Sequence, residues 1–137
     1  YDLVIESVKK TLENLDSVKN MKPGKVLVKT NLLKKSKPED GVTTHPFVVE
    51  GVVRFLQDKG HTVIVGDSPG GPFLAGMLRS IYDASGISDV ARRTGCNLNF
   101  NTEYIDVHYD DAMYLKNMKL VKAFKFFEAI NRKQARI

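Results

Sequence analysis

The sequence is poor in cysteine and has no long apolar segment. Its one cysteine, Cys96, cannot form a disulfide within the chain and cannot by itself build a four-cysteine zinc or iron–sulfur site. No apolar run approaches the ~18 to 20 residues that span a bilayer, and the first ten residues lack the basic-then-apolar pattern of a secretory signal. We therefore expect no membrane association and, by default, a cytoplasmic protein.

The glycines do not form a known nucleotide-binding fingerprint. Neither GxGxxG spacing nor a Gly-Lys-Ser/Thr phosphate loop occurs in the chain. The composition is otherwise that of a globular protein, with 42% hydrophobic and 27% charged residues among 137. This length supports one domain or a large piece of one.

The positive charge is concentrated in two stretches. The net charge is +5, and residues 22–40 carry six lysines against two acids, whereas residues 116–136 carry seven basic residues against one acid. These stretches form either one face that attracts anions or two separate solvated surfaces. Nucleic-acid binding through them is an alternative, although the chain has no recognisable binding motif and no aromatic stacking pattern there.

Hydrophobic spacing predicts alternating helices and strands. Helices are predicted over about 3–20, 46–60, 73–84, 88–94 and from 119 onward, and strands over 25–31, 62–66, 97–100 and 104–109. A strand, a crossover helix and a second strand form a right-handed parallel unit. The fold class is therefore α/β, with a mostly parallel sheet and flanking helices in three layers or a partial version of them.

The beginning of the sequence suggests that the domain extends beyond it. An α/β domain normally opens with a strand, but here the first predicted element is a helix. We expect the first strand of the sheet to be missing, and residues 1–137 to be a single α/β domain that forms the amino-terminal part of a larger protein.

The loops after the first two predicted strands are the best candidates for a binding site. Parallel strands place their carboxyl ends at one edge of the sheet, where ligands bind in open α/β folds. The second loop contains Asp67, Ser68, Gly70 and Gly71. Its glycines allow positive φ and close approach of a ligand to the backbone, although a tight turn alone would also require glycine.

The first loop supplies further candidates. Thr43, Thr44 and His45 precede Pro46, at the expected start of a helix, where hydroxyls and an imidazole either hold an anion or simply cap the helix. His45 is also able to ligate a metal or move a proton. Lys29 and Asn31 lie at the end of the first predicted strand, where a lysine either points into a cleft or lies at the surface.

Three ordered motifs resemble a known family. These are Lys-Thr-Asn-Leu-Leu at 29–33, Gly-Val-Thr-Thr-His-Pro at 41–46 and Val-Gly-Asp-Ser-Pro-Gly-Gly-Pro at 65–72. Together they resemble the domain of unknown function family 362, which usually has Lys-Pro-Asn at the first motif. Members often carry a ferredoxin-type module, so the resemblance implies 4Fe–4S clusters in another part of the parent protein and no cofactor within this chain.

These observations lead to one functional hypothesis and two alternatives. We expect loops 29–46 and 67–72 to bind an anionic or phosphate-bearing small molecule, with Lys29 and His45 as catalytic residues. Asn31, Thr43, Thr44, Ser68, Gly70 and Gly71 are the expected ligand-binding residues, and Asp67 is the expected metal ligand. The alternatives are a non-catalytic docking domain for a ferredoxin-type module in the same parent chain, and nucleic-acid binding.

Overall fold

The chain forms an α/β fold in the computed structural model, which describes residues 1–108, 110–111, 113–114 and 117–121. The helices are α1 (Asp2–Glu13), α2 (Asp16–Lys19), α3 (Pro46–Asp58), α4 (Ala75–Ala84) and α5 (Ile87–Thr94), with a 3-10 turn at Pro38–Asp40. The strands are β1 (Lys25–Lys29), β2 (Thr62–Gly66), β3 (Asn97–Leu98), β4 (Tyr104–His108) and β5 (Asn117–Val121). No helix among these residues has the length and apolarity required to cross a bilayer.

The first three strands form a parallel sheet in the order β1, β2, β3. Lys25 pairs with Thr62 and Lys29 pairs with Gly66, so β1 and β2 end at the same level. Helix α3 connects β1 to β2, and α4 and α5 connect β2 to β3. The α/β class with a parallel sheet and flanking helices, predicted from the hydrophobic spacing, is confirmed.

The core lies between this sheet and the helices. Val63 and Val65 of β2 are buried, and the alternate residue Ile64 is half-buried on the opposite face. Helices α3 and α5 contact the sheet and also contact each other, so they cover the same face. Within the described residues, the arrangement is the partial version of the layered fold.

Two predicted helices differ in the structure. The helix expected over 3–20 is interrupted after Glu13, because Asn14 ends α1 and Leu15 adopts an extended conformation before α2. Asparagine favours such helix ends, since its side chain bonds to nearby backbone, here to the carbonyl oxygen of Lys10. The helix expected from 119 was wrong at its start: residues 119–121 lie in β5, which pairs antiparallel with β4. The remainder of that prediction falls outside the described residues.

Helix α1 packs against α3 at a glycine. Gly51 is buried, and a β-carbon built on it would lie 2.8 Å from Cβ of Val8 and 3.1 Å from the carbonyl oxygen of Ile5. Real β-carbons do not approach other atoms this closely, so only glycine permits the observed separation of the two helices.

We predict that Gly51→Ala lowers the free energy of unfolding. The added methyl group forces α1 away from α3, which destabilises the folded state by about 1 to 3 kcal/mol. The higher helix propensity of alanine stabilises it by about 1 kcal/mol. Gly76→Ala is the matched control, because no atom lies within 4 Å of the β-carbon position at this glycine of α4. Urea denaturation should show a lower free energy of unfolding for Gly51→Ala than for the wild type, and no decrease for Gly76→Ala. Equal stability of the two variants would contradict the close approach.

Candidate functional site

The loops that follow β1 and β2 are joined by hydrogen bonds. The amide of Thr30 donates to the carbonyl oxygen of Gly66 (3.1 Å), which extends the strand pairing by one step. Further along, the amide of Gly70 donates to the carbonyl oxygen of Leu33 (3.0 Å). The two loops therefore meet at the carboxyl edge of the sheet, as the parallel topology predicts.

Asp67 connects the two loops through its side chain. Its carboxylate is 5% exposed; Oδ2 accepts from the amide of Leu32 (2.8 Å), and Oδ1 lies 2.9 Å from Nζ of Lys29. Both carboxylate oxygens thus have partners on the β1 side. The part of the chain that the structure describes contains no group of three or more His, Cys, Asp or Glu side chains able to hold a metal. The metal-ligand role of Asp67 stays a prediction.

Lys29 is engaged by this interaction. Besides the ion pair with Asp67, its Nζ donates to the carbonyl oxygen of Thr30 (3.3 Å), and 58% of its side chain is exposed. The side chain of Lys29 therefore lies along the loop, and its ammonium group is paired rather than free. Its charge is offset by Asp67.

Asn31 and Thr44 close the first loop onto itself. The amide of Asn31 donates to Oγ1 of Thr44 (2.9 Å), and the amide of Thr44 donates to the carbonyl oxygen of Asn31 (2.8 Å). Thr30 and Thr43 are buried on either side, and neither hydroxyl has a hydrogen-bond partner among the described residues. The side chains of Thr30, Thr43 and Thr44 are thus directed inward or toward the backbone.

His45 caps helix α3. Its Nδ1 accepts from the amide of Phe47 (3.4 Å), and its ring lies 5.5 Å from the Phe47 ring. An accepting Nδ1 leaves Nε2 as the nitrogen that carries the proton in the neutral ring. No hydrogen bond or ion pair joins His45 to Lys29 or Asp67 in the described residues, so the two predicted catalytic side chains are not brought into contact.

The glycines of the second loop have different roles. Gly71 adopts a φ of 94°, a conformation that favours glycine, whereas the amide of Gly70 is already used by Leu33. Ser68 is exposed. The loop therefore has the expected glycine-dependent turn, but the Gly70 amide is bonded within the protein.

A cleft opens where the two loops meet helix α4. It has a volume of about 280 Å³ and is lined by Lys34, Lys35, Gly70, Met77, Ser80 and Ile81. Two of these side chains are cationic and, among the described residues that line the cleft, none is acidic. Sequence reasoning placed the lysines in a basic stretch but did not single them out, and Ser80 carried no signal beyond its place in a predicted helix.

Tyr82 is a buried polar residue next to the site that sequence reasoning also missed. Its hydroxyl donates to the carbonyl oxygen of Asn99 (2.8 Å), and its ring packs edge-on against Phe100. Burial, and then the negative charge of Asp67, raise the pKa of Tyr82 from 10.0 to about 12. Tyr82 therefore joins helix α4 to the residues that follow β3, and it lies near Asp67 of the second loop.

We predict a pH-dependent effect of Tyr82→Phe. Near neutral pH the free energy of unfolding of the variant should be about 1 kcal/mol lower than that of the wild type, because the Asn99 carbonyl loses its hydrogen-bond donor. Above pH 10 the unfolded wild-type chain releases the tyrosine proton that the folded state retains up to about pH 12, so wild-type stability falls as pH rises. The difference between the two proteins should therefore be smaller at about pH 11 than at about pH 8 in denaturant titrations. A constant difference would contradict the raised pKa.

Comparisons with known proteins support the resemblance seen in the motifs. The protein-family model described as Domain of unknown function (DUF362) matches residues 26–130, which is more than half of the chain and includes both loops of the site. No curated protein and no solved structure matches the chain.

Proposed function

The chain belongs to the domain of unknown function family DUF362, and we propose that its loops 29–46 and 67–72 bind an anionic, phosphate-bearing small molecule in the cleft beside helix α4. The observation that carries this proposal is the lining of the cleft. Lys34 and Lys35 supply two positive charges, and no acidic side chain among the described lining residues offsets them. Ammonium groups form strong charge-assisted hydrogen bonds with phosphate oxygens.

The other charges of the site support this assignment. Asp67 pairs with Lys29, so the acid of the second loop is neutralised on the side of β1. Lys34 and Lys35 are both exposed and form no salt bridge in the described residues. An anion that enters the cleft therefore meets lysines that have no carboxylate to compete for them.

Other residues of the cleft and of the loops have supporting roles in this proposal. Ser80 offers a hydroxyl to a phosphate oxygen, and Gly71 lies beside the lining, as a β-carbon built on it would be 3.9 Å from the Met77 sulfur. Asn31 and Thr44 hold the first loop in place through their mutual hydrogen bonds. The volume of about 280 Å³ is at the small end of ligand pockets, which favours a small ligand.

The other expectations stay predictions. They include catalytic roles for Lys29 and His45, a ligand-binding role for Thr43 and Ser68, 4Fe–4S clusters elsewhere in the parent protein, and docking of a ferredoxin-type module. Nucleic-acid binding through two combined basic stretches remains an alternative that no observation favours, since most of the stretch 116–136 lies outside the described residues.

We predict that replacing the cleft lysines weakens phosphate binding. The double variant Lys34→Gln/Lys35→Gln should bind methyl phosphate about tenfold or more weakly than the wild type in isothermal titration calorimetry, since loss of about 1.4 kcal/mol corresponds to tenfold. Affinity for the wild type should fall as salt is added, because the cleft is open to solvent.

The matched control is Lys10→Gln/Lys19→Gln, which removes the same charge from the exposed surface of α1 and α2. Its affinity for methyl phosphate should equal that of the wild type. Equal weakening in both double variants would assign the effect to net charge, and would contradict a site at the cleft. Circular dichroism establishes that each variant is folded.

A further inference from the structure

We infer that the ligand of this cleft is amphiphilic: a small phosphate monoester whose organic part is apolar. The inference rests on the proposed function and adds the chemical class of the ligand. Lys34 and Lys35 line the cleft together with the apolar side chains of Met77 and Ile81. The cleft thus presents cationic and apolar groups to the same bound molecule.

Two residues next to the lining, Leu33 and Leu74, have exposed apolar side chains, as does Met77 of the lining itself. Leu33 is 54% exposed, Leu74 is 62% exposed and Met77 is 39% exposed. Leu33 precedes the cleft lysines and its carbonyl oxygen accepts from the amide of Gly70, while Leu74 caps the helix that carries Met77. Exposed apolar side chains on the residues that adjoin one cleft favour a ligand with an apolar part.

Leu33 also has a strained backbone. Its φ is 41°, and it is the one non-glycine residue with positive φ among those the structure describes. A glycine would adopt this φ without strain, whereas a leucine side chain is disfavoured there. Half-exposed as it is, Leu33 gains little from burial to offset the strain. Strained residues of this kind are concentrated at functional sites, ligand clamps among them.

The charge and apolar surface together identify the ligand class. An inorganic phosphate would pair with the lysines but leave Leu33 and Met77 exposed to water. A purely apolar ligand would cover these side chains but leave the lysine charges unpaired. A phosphate monoester with a short apolar group satisfies both, and a cleft volume of about 280 Å³ suits a ligand with a small organic group.

The experiment compares methyl phosphate with butyl phosphate by isothermal titration calorimetry on the whole chain. The added methylene groups should bury against the apolar side of the cleft, so butyl phosphate should bind about tenfold more tightly than methyl phosphate. Equal affinities would overturn the amphiphilic ligand and leave the proposed phosphate site intact. Binding of neither ester would contradict the proposed function itself.

Variants at Leu33 locate the apolar contact. Leu33→Gly and Leu33→Asn both tolerate positive φ but lack the apolar side chain, so the ratio of the butyl phosphate affinity to the methyl phosphate affinity, measured within each variant, should fall to about one. The control Leu3→Ala removes an 83% exposed leucine from α1 and should retain the full preference. Retention of the preference in both Leu33 variants would overturn the role of Leu33.

A vesicle experiment separates a free ester from a membrane lipid. Cosedimentation with phosphatidylcholine vesicles that contain phosphatidic acid should show no binding that depends on Leu33. Vesicle binding that is lost in Leu33→Gly, without any preference for butyl over methyl phosphate, would overturn the small-molecule ligand in favour of a lipid surface.

Discussion

The candidate site depends on one buried carboxylate, that of Asp67. A negative charge that is 5% exposed is costly unless it is paired and hydrogen-bonded. Here Lys29 supplies the charge and the amide of Leu32 supplies a hydrogen bond. Because both partners come from the β1 side and Asp67 comes from the end of β2, this side chain adds an ion pair and a hydrogen bond to the backbone hydrogen bonds that join the two loops.

The geometry of the cleft follows from that connection. With Leu32 held by Asp67, the next residue, Leu33, directs its carbonyl oxygen to the amide of Gly70 and adopts a positive φ. The chain then turns so that Lys34 and Lys35 line the cleft beside α4. Lys29 is paired with Asp67, whereas Lys34 and Lys35 form no salt bridge among the described residues.

Much of the fold could be predicted because it depends on local patterns. The valine-rich runs at β1 and β2, separated by a helix that begins at Pro46, are sufficient to predict a parallel unit with both loops at one edge. The motifs within those loops also predicted the family that the comparison found. The pairing of Asp67 with Leu32, across 35 positions, has no local signal, so the sequence could not distinguish a metal ligand from a loop connector.

Buried polar groups were the least predictable part for the same reason. Glu50 lies on the buried side of α3 and is 2% exposed, yet its carboxylate is satisfied by Arg54 one turn away and by Arg93, 43 positions along the chain. Burial favours a higher pKa for Glu50, but hydrogen bonds from both arginines outweigh it and lower the pKa. The spacing of Glu50 and Arg54 is visible in the sequence, whereas the contact with Arg93 requires α5 to pack on α3. The same holds for Tyr82, whose partner Asn99 follows β3.

The most direct measurement of the central claim is a proton–nitrogen correlation spectrum of the labelled protein during titration with methyl phosphate. We predict saturable shifts of the amide signals of Lys34, Lys35, Gly70 and Ser80, with the signals of Lys10 and Lys19 unchanged. Absence of saturable shifts at the cleft, or equal shifts at basic residues throughout the chain, would contradict a phosphate site between the two loops.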